Sequence, residues 1–519
     1  MKRIAIALFL FATTAFGADK HFIVLQLNDV YKIEGLENGN VGGLARVRTL
    51  RKQLAADGTP VLVMHAGDLL FPSVMSKYLN GEAMVRVLNM LDGDGGKFDD
   101  AMYATIGNHE LEKSDPMFAL GRMAESDFRW VSSNVHYCRG GKCTQTFATR
   151  LKTVNNVIEV KVGGVSLGIF GLTTDSGQSD YFKIDFADQT ARYAAVKTAI
   201  DQLKRDGAEL IVGLTHEDMD DDVALATKFP EIDFIAGGHD HQYQEKTVGR
   251  TKIAKGDADA KSVIVWDVVV AEGGAPKITT KRVMVDSSIA KDPDVDAEVQ
   301  RWMNALEKKL GPNVEIGQTK NMLEGVEPAV RGRETALGNF LADVAREWMH
   351  ADVGLMNGGG IRINDNIPPG AVRSYDMEGI FYYANNLISF PVTGEQLLAI
   401  LNNGVLRADA GDGRFLQVSG IQLRYRVVNG KGEVTSVLVN GKPLDPKATY
   451  NVGTIDYLYN FGLGDGFTLF DPKNPDKPKL APPPADRTTF DFRKATEATI
   501  GALPEKTITT AIEGRITRE

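Results

Sequence analysis

Short apolar runs rich in β-branched residues recur along the first half of the chain, each separated from the next by an amphipathic or polar stretch. That alternation predicts a layered α/β fold. Strands are expected at residues 22–27, 61–65, 102–106, 166–172, 210–214 and 234–236. Between the first two, Leu44, Val47, Leu50 and Leu54 recur at helical spacing behind Gly42 and Gly43, which predicts a helix packed on the sheet. Residues 293–311 open with Pro293 and acidic residues, end with Lys308 and Lys309, and stop at Gly311. Those signals predict a helix and suit its macrodipole. Beyond it the texture changes, with a helix expected at 336–348 among strands at 353–356, 421–427 and 434–439. The Pro-rich stretch 471–484 reads as a surface excursion, and no internal repeat is found.

A chain of 519 residues exceeds what one hydrophobic core organises, so two domains are expected, divided at the helix after residue 290. With 43% hydrophobic and 24% charged residues, the composition argues against disorder, collagen-like repeats and membrane channels. Met1-Lys2-Arg3, an apolar run to Phe11 and small residues up to Gly17 predict a secretory signal peptide over 1–17, cleaved near Gly17. The run is shorter than the roughly 20 residues of a spanning helix. The mature protein is therefore expected to be periplasmic or secreted, with no membrane span. Cys138 and Cys143 are the two cysteines, bracketing a turn-forming Arg-Gly-Gly-Lys, and form either a local disulfide or two free thiols. The formal charge of −9 becomes −11 when Lys2 and Arg3 leave, which disfavours a nucleic-acid polymer as partner. Small anions remain possible where local cations meet them.

Five of the six expected strands run directly into polar clusters: Asn28-Asp29, Gly67-Asp68, Gly107-Asn108-His109, Thr215-His216 and Gly238-His239-Asp240-His241. Ligands bind at strand ends in open α/β sheets. Asp29, Asp68, Asn108, His216, His239 and His241 are oxygen and imidazole donors of the kind that hold divalent ions with open positions for water and phosphate. Any one of these short motifs is common by chance; the set at five strand ends is not. The acidic run from Glu217 to Asp222 reads instead as a solvated helix start.

In order and spacing these clusters resemble the calcineurin-like metallophosphoesterase signature. Arg331-Gly-Arg-Glu, Asn357-Gly-Gly-Gly-Ile-Arg362 and Gly464-Asp465-Gly466-Phe467 resemble the 5'-nucleotidase C-terminal domain. Together the halves resemble the secreted 5'-nucleotidase and UDP-sugar hydrolase family. The resemblance implies a four-layer α/β/β/α domain over 18–290, a linker helix over 291–315 and a smaller α/β substrate-binding domain over 316–519. It implies two divalent metal ions, with Mn, Zn, Fe and Co all compatible, bridged by Asp68. Asp29 and His241 then hold one ion, and Asn108, His216 and His239 the other. His109 is the implied dyad histidine, stabilising charge on the phosphoryl or leaving-group oxygens.

Two positions depart from the family pattern. Tyr31 stands where a histidine ligand is usual; it either binds as tyrosinate or stays neutral and weakens its site, and a phenol pKa near about 10 favours the second. Glu112 replaces the aspartate that orients the dyad histidine, with looser geometry and a slower enzyme as the implied result. In the second domain the resemblance implies substrate grip by Arg331, Asn357 and Arg362, base stacking between Tyr383 and Tyr459, and hydrogen bonds from Asp465 and Asn385. The expected function is a hydrolase of nucleotide phosphate esters. Alternatives are a hydrolase of UDP-sugars, cyclic nucleotides or thiosulfonate carriers, and a nucleotide-binding protein with a decayed metal centre. A monomer and a dimer are both open.

Overall fold

The structure is a computed structural model that describes residues 20–112, 115–175 and 180–519. The expected signal peptide lies outside the described residues. In the first half, two sheets are built from the apolar runs. The strands Lys20–Leu27, Val61–His65, Met102–Thr105, Arg129–Val131 and Val154–Asn155 run parallel, with Ser262–Val270 and Lys277–Met284 joining antiparallel on the other edge. The second sheet has Thr251–Lys255, Phe234–Gly237, Leu210–His216 and Val165–Thr173 parallel at its centre, and antiparallel edges.

Alternation along each strand buries one face of each sheet against the other. Phe22, Val24, Leu62 and Met64 meet Leu167, Ile169, Val212 and Phe234 in that inner core. Each such side chain contributes about 1.5–3 kcal/mol by leaving water. The outer face of the first sheet is covered by helices that include Leu44–Leu54, and that of the second by Gln189–Asp206 and Met219–Lys228. The result is α/β/β/α. Gln26, fully buried, bridges the two sheets: its amide donates to Gly237 O at 2.9 Å and Ala254 O at 3.0 Å and accepts from Trp266 Nε1 at 2.6 Å. That bridge sets the strand ending at Asp29 beside the one leading to His239. Cys138 and Cys143 form a disulfide across the hairpin of Val135–Arg139 and Lys142–Thr146.

The helix Pro293–Leu310 buries Val295, Val299, Trp302 and Leu306 in the core of the first half. Beyond it, separate cores gather residues from Leu323 onward. The helix Ala336–Trp348, capped by Thr335, packs on a four-stranded sheet ordered Leu387–Thr393, Thr449–Ile455, Val353–Asn357 and Leu416–Ser419. The halves meet through polar contacts, as domain interfaces within a chain commonly do. Lys32 pairs with Asp365 at 2.8 Å, Lys77 donates to Tyr382 O at 2.7 Å, and Asn364 donates to Asp259 at 3.1 Å.

Candidate active site

Asp29, Asp68, His239 and His241 all have positive φ, at 52°, 55°, 83° and 60°. Non-glycine residues adopt this left-handed conformation rarely and at some cost, and such residues cluster at functional sites. Here each turns the chain sharply off its strand and directs a polar side chain to a common point. The close packing leaves no room for a side chain at Gly107, whose Cβ would fall 2.0 Å from Asp68 Oδ1.

Ligand atoms of Asp29, Asp68 and His216 lie within 4.8 Å of one another, all three residues buried. Asp68 joins two sets of donors. On one side Tyr31 Oη lies 3.3 Å from Asp29 Oδ1, 3.1 Å from Asp68 Oδ2 and 3.1 Å from His241 Nε2, and His241 Nε2 is 3.3 Å from Asp29 Oδ1. On the other, His216 Nε2 lies 3.1 Å from Asp68 Oδ2, 3.0 Å from Asn108 Oδ1 and 3.3 Å from His239 Nδ1. His216 Nδ1 is engaged by Ala66 O at 2.7 Å, which leaves Nε2 to face the cluster. Buried carboxylates and imidazoles converging without intervening apolar groups fit divalent cations. Tyr31 sits among them, at the position where the family pattern has a histidine.

The electrostatics are those of a site built for positive charge. Burial opposes ionisation of Asp29, yet the imidazoles of His241 and His216 hold its carboxyl far below the carboxylate range. Burial likewise opposes the charge of Asp68, but His216 and His109 bring it to about 2. Against its own burial, His216 is lifted to about 9 by Asp68 and Asp29, whereas burial and the neighbouring His216 depress His239 to about 3. For Tyr31, burial first and then Asp68 and Asp29 push the phenol well above its ordinary value.

His109 follows Asn108 at the edge of the cluster. Its Nε2 is 3.8 Å from Asp68 Oδ2, and its Nδ1 is 2.5 Å from Glu112 Oε1. The backbone N–H of His109 donates to Asp68 Oδ1 at 2.9 Å, tying the dyad loop to the central carboxylate. Glu110 does the same from beneath: fully buried, it accepts from the N–H groups of Asp68, Leu69, Leu70 and Gly107 at 2.7–2.9 Å. Glu110 directly follows Gly107-Asn108-His109 in the sequence, where nothing marks it as a backbone clamp.

From the second domain Arg331 and Arg362 face the cluster. Burial, then repulsion from Arg362, lowers the Arg331 guanidinium to about 9. Arg331 Nε, Arg362 Nε and Asn357 Oδ1 are buried without hydrogen-bond partners among the described residues. Two orphaned donors and an orphaned acceptor of that kind are costly unless a ligand meets them. Tyr383 is exposed and lies with its ring centroid 5.9 Å from the Arg362 guanidinium. Asn385 is near it, donating to Tyr383 O at 3.4 Å.

Tyr459 is not beside Tyr383. Its ring packs against Phe390 and Phe470 at 5.6 and 5.8 Å, and its hydroxyl donates to Pro478 O at 2.8 Å. On the helix Asp456–Phe461 it is Tyr457, two residues earlier, that is exposed, hydrogen-bonds Asp465 and lies within electrostatic reach of Tyr383 and Arg362. A family resemblance along the sequence cannot register which face of so short a helix looks into the cleft.

Residues 22–243 match the family model of the calcineurin-like phosphoesterases, and residues 315–472 match that of the 5'-nucleotidase C-terminal domain. The chain belongs to the 5'-nucleotidase family of metal-dependent phosphoester hydrolases. Among curated members it is similar to the trifunctional nucleotide phosphoesterase protein YfkN of Bacillus subtilis, 27% identical over 495 residues, which are 86% of this chain and 32% of that one. It is also similar to the snake venom 5'-nucleotidase of Naja atra, 25% identical over 482 residues, 82% of this chain and 86% of that one. In fold it resembles the crystal structure of a 5'-nucleotidase precursor from Thermus thermophilus, with TM-score 0.76 and 24% identity, covering 96% of this chain and 99% of that one.

Family membership leaves the buried charges under the histidine loops unexplained. In the acidic run, Asp220 is solvated as expected, but Glu217 and Asp222 are fully buried. Glu217 pairs with Arg192, while Asp222 pairs with Lys255 at 3.1 Å. Lys255, also fully buried, donates to Gly238 O at 3.0 Å and pairs with Asp240. Through Lys255, Asp222 thus braces the loop that carries His239 and His241. No helix among the described residues is long and apolar enough to cross a membrane.

Proposed function

We propose that the protein is a secreted or periplasmic hydrolase that releases nucleoside and inorganic phosphate from nucleotide phosphate esters. The observation that carries this reading is Asp68, shared between two sets of oxygen and imidazole donors, with Arg331 and Arg362 facing it and their Nε atoms buried without hydrogen-bond partners among the described residues. Asp29, Asp68 and His241 would hold one divalent ion, and Asp68, Asn108, His216 and His239 the other. Such ions supply Lewis-acid stabilisation for the phosphoryl oxygens and acidity for the attacking water.

The side chains divide the remaining work. Glu112 accepts the Nδ1 proton of His109 and turns Nε2 toward the cluster, where it donates to a phosphoryl or leaving-group oxygen as charge develops. Arg331 and Arg362 take the substrate's anionic oxygens by charge-assisted hydrogen bonds. Asn357 adds a neutral contact. Tyr383 and Tyr457 offer flat, exposed faces for a nucleobase, and Asp465 accepts from base or ribose. Burial and two carboxylates oppose ionisation of Tyr31, so its phenol would be a weak neighbour of the first ion, with Asp29 and His241 as the stronger donors. Closure of the domain over 316–519 on that over 18–290 brings these groups together and excludes water.

The test is phosphate release from a panel of AMP, other nucleoside monophosphates, a UDP-sugar and a cyclic nucleotide, each assayed with added Mn²⁺, Zn²⁺ or Co²⁺. Turnover is expected for nucleoside monophosphates. Full metal occupancy with no turnover of any nucleotide ester removes the reading in favour of a binding protein.

A further inference from the structure

One carboxylate outside the strand-end donors touches both halves of the site. Glu327 opens the short helix Glu327–Val330 of the second domain, and its side chain is 15% exposed. Its Oε2 lies 2.6 Å from Nδ1 of His241, across the domain interface. Its Oε1 pairs with Arg331 and lies 3.7 Å from Arg362 Nη1. Asn364 Oδ1 accepts from the Glu327 N–H at 3.0 Å and so fixes where this residue begins its turn. The His241 Nδ1 atom is buried and, although the approach of Glu327 is bent, has no aligned hydrogen-bond partner among the described residues. Glu327 is the group within its reach.

The imidazole therefore spans two environments. Its Nε2 faces Asp29 at 3.3 Å and Tyr31 at 3.1 Å in the first domain, and its Nδ1 faces Glu327 in the second. A neutral imidazole carries one N–H, and a carboxylate at Nδ1 holds the hydrogen there, leaving the Nε2 lone pair toward Asp29. That is the tautomer a metal-ligating histidine needs, and a carboxylate behind it also raises its basicity. The same carboxylate is the one paired directly with the partly buried Arg331 guanidinium and lies 3.7 Å from that of Arg362. It stands where an anionic group of a substrate would meet them.

We propose that Glu327 is a positioning residue that couples the two domains: it fixes His241 for the ion on the Asp29 side, and it occupies Arg331 and Arg362 until a substrate anion replaces it there. This rests on the metal-binding reading of the strand-end cluster given above. Two consequences have opposite signs. Removing the carboxylate weakens one metal position, because His241 loses its orienting acceptor. It also strengthens the hold of the arginines on free anions, because their internal competitor is gone. A residue that served only to start a helix would change neither.

The experiment uses the full chain. Mn²⁺ uptake is measured by equilibrium dialysis and elemental analysis, and inorganic phosphate binding by calorimetry at saturating Mn²⁺, for wild type, Glu327→Ala and Glu327→Gln. In Glu327→Ala the weaker of the Mn²⁺ affinities is expected to fall about 10–100-fold. Glu327→Gln, whose amide oxygen still accepts from Nδ1, should lose less. Both variants should bind phosphate several-fold more tightly than wild type. Mn²⁺ affinities within twofold of wild type in a folded Glu327→Ala protein overturn the proposal and leave metal-dependent hydrolysis intact. Weakened Mn²⁺ binding without tighter phosphate binding overturns the coupling to the arginines. Should the alanine variant fail to fold, the glutamine variant decides on the same two readouts. A wild-type chain that takes up no Mn²⁺ overturns the reading beneath the proposal and the proposal with it.

Discussion

The two sides of the cleft are built on different physical terms. On the first-domain side, the polar groups are buried, in contact with one another and held by backbone turns in a conformation that costs energy to maintain. On the second-domain side, Tyr383 and Tyr457 are exposed, and Arg331 Nε, Arg362 Nε and Asn357 Oδ1 have no hydrogen-bond partner among the described residues. The first arrangement is organised before any ligand arrives and suits chemistry that is intolerant of misplacement. The second keeps its unmet hydrogen bonds for a substrate, which suits recognition. One side fixes where phosphorus must be, and the other decides what is attached to it.

The sharpest way to break that contrast is at its centre. Asp68→Ala is expected to abolish turnover and to strip bound metal, read by elemental analysis of the dialysed protein; retained metal at wild-type stoichiometry would sink the shared role of Asp68. His109→Ala should lower kcat by about 10²–10⁴-fold while metal content stays at the wild-type level. A proportional loss of metal would mean that His109 belongs to the ligand cluster rather than beside it.

On the recognition side, two tyrosines two residues apart should behave oppositely. Tyr457→Ala is expected to raise KM for a nucleoside monophosphate about 3–10-fold, the worth of one stacking contact, with the melting temperature unchanged. Tyr459→Ala should instead cost about 2 kcal/mol of stability, seen in chemical denaturation, because it removes a ring packed against Phe390 and Phe470. The reverse outcome would put Tyr459 in the cleft.

The smallest effect concerns neither side of the cleft. Asp292 caps the helix Pro293–Leu310, accepting from Asp294 N at 3.2 Å and Val295 N at 3.3 Å, and pairs with Lys52 at 2.9 Å. Asp292→Ala should cost about 1 kcal/mol. Burial opposes the charge of Asp292, but the hydrogen bond from Lys52 and the helix N–H groups hold its carboxyl below the ordinary value of 3.8. A folded value below the unfolded one means that the stabilisation is complete above pH 3.8 and fades as pH falls through the folded value. Urea denaturation of wild type and variant across that range should converge at the acid end.

The sequence by itself determined the strands that lead to Asp29, Asp68, Asn108, His216 and His239, because short β-branched apolar runs followed at once by polar residues are local signals. It also determined the helix Ala336–Trp348, whose apolar spacing is equally local. What only the tertiary structure decided lies between segments far apart in the chain. Glu217 and Asp222 look like solvated acids until Arg192 and Lys255 are brought beneath them. Tyr457 rather than Tyr459 faces Tyr383 because the register of a short helix is set by what it packs on. Glu327 meets His241 because two domains close on each other, and no pattern along one strand or helix can encode a contact made by another.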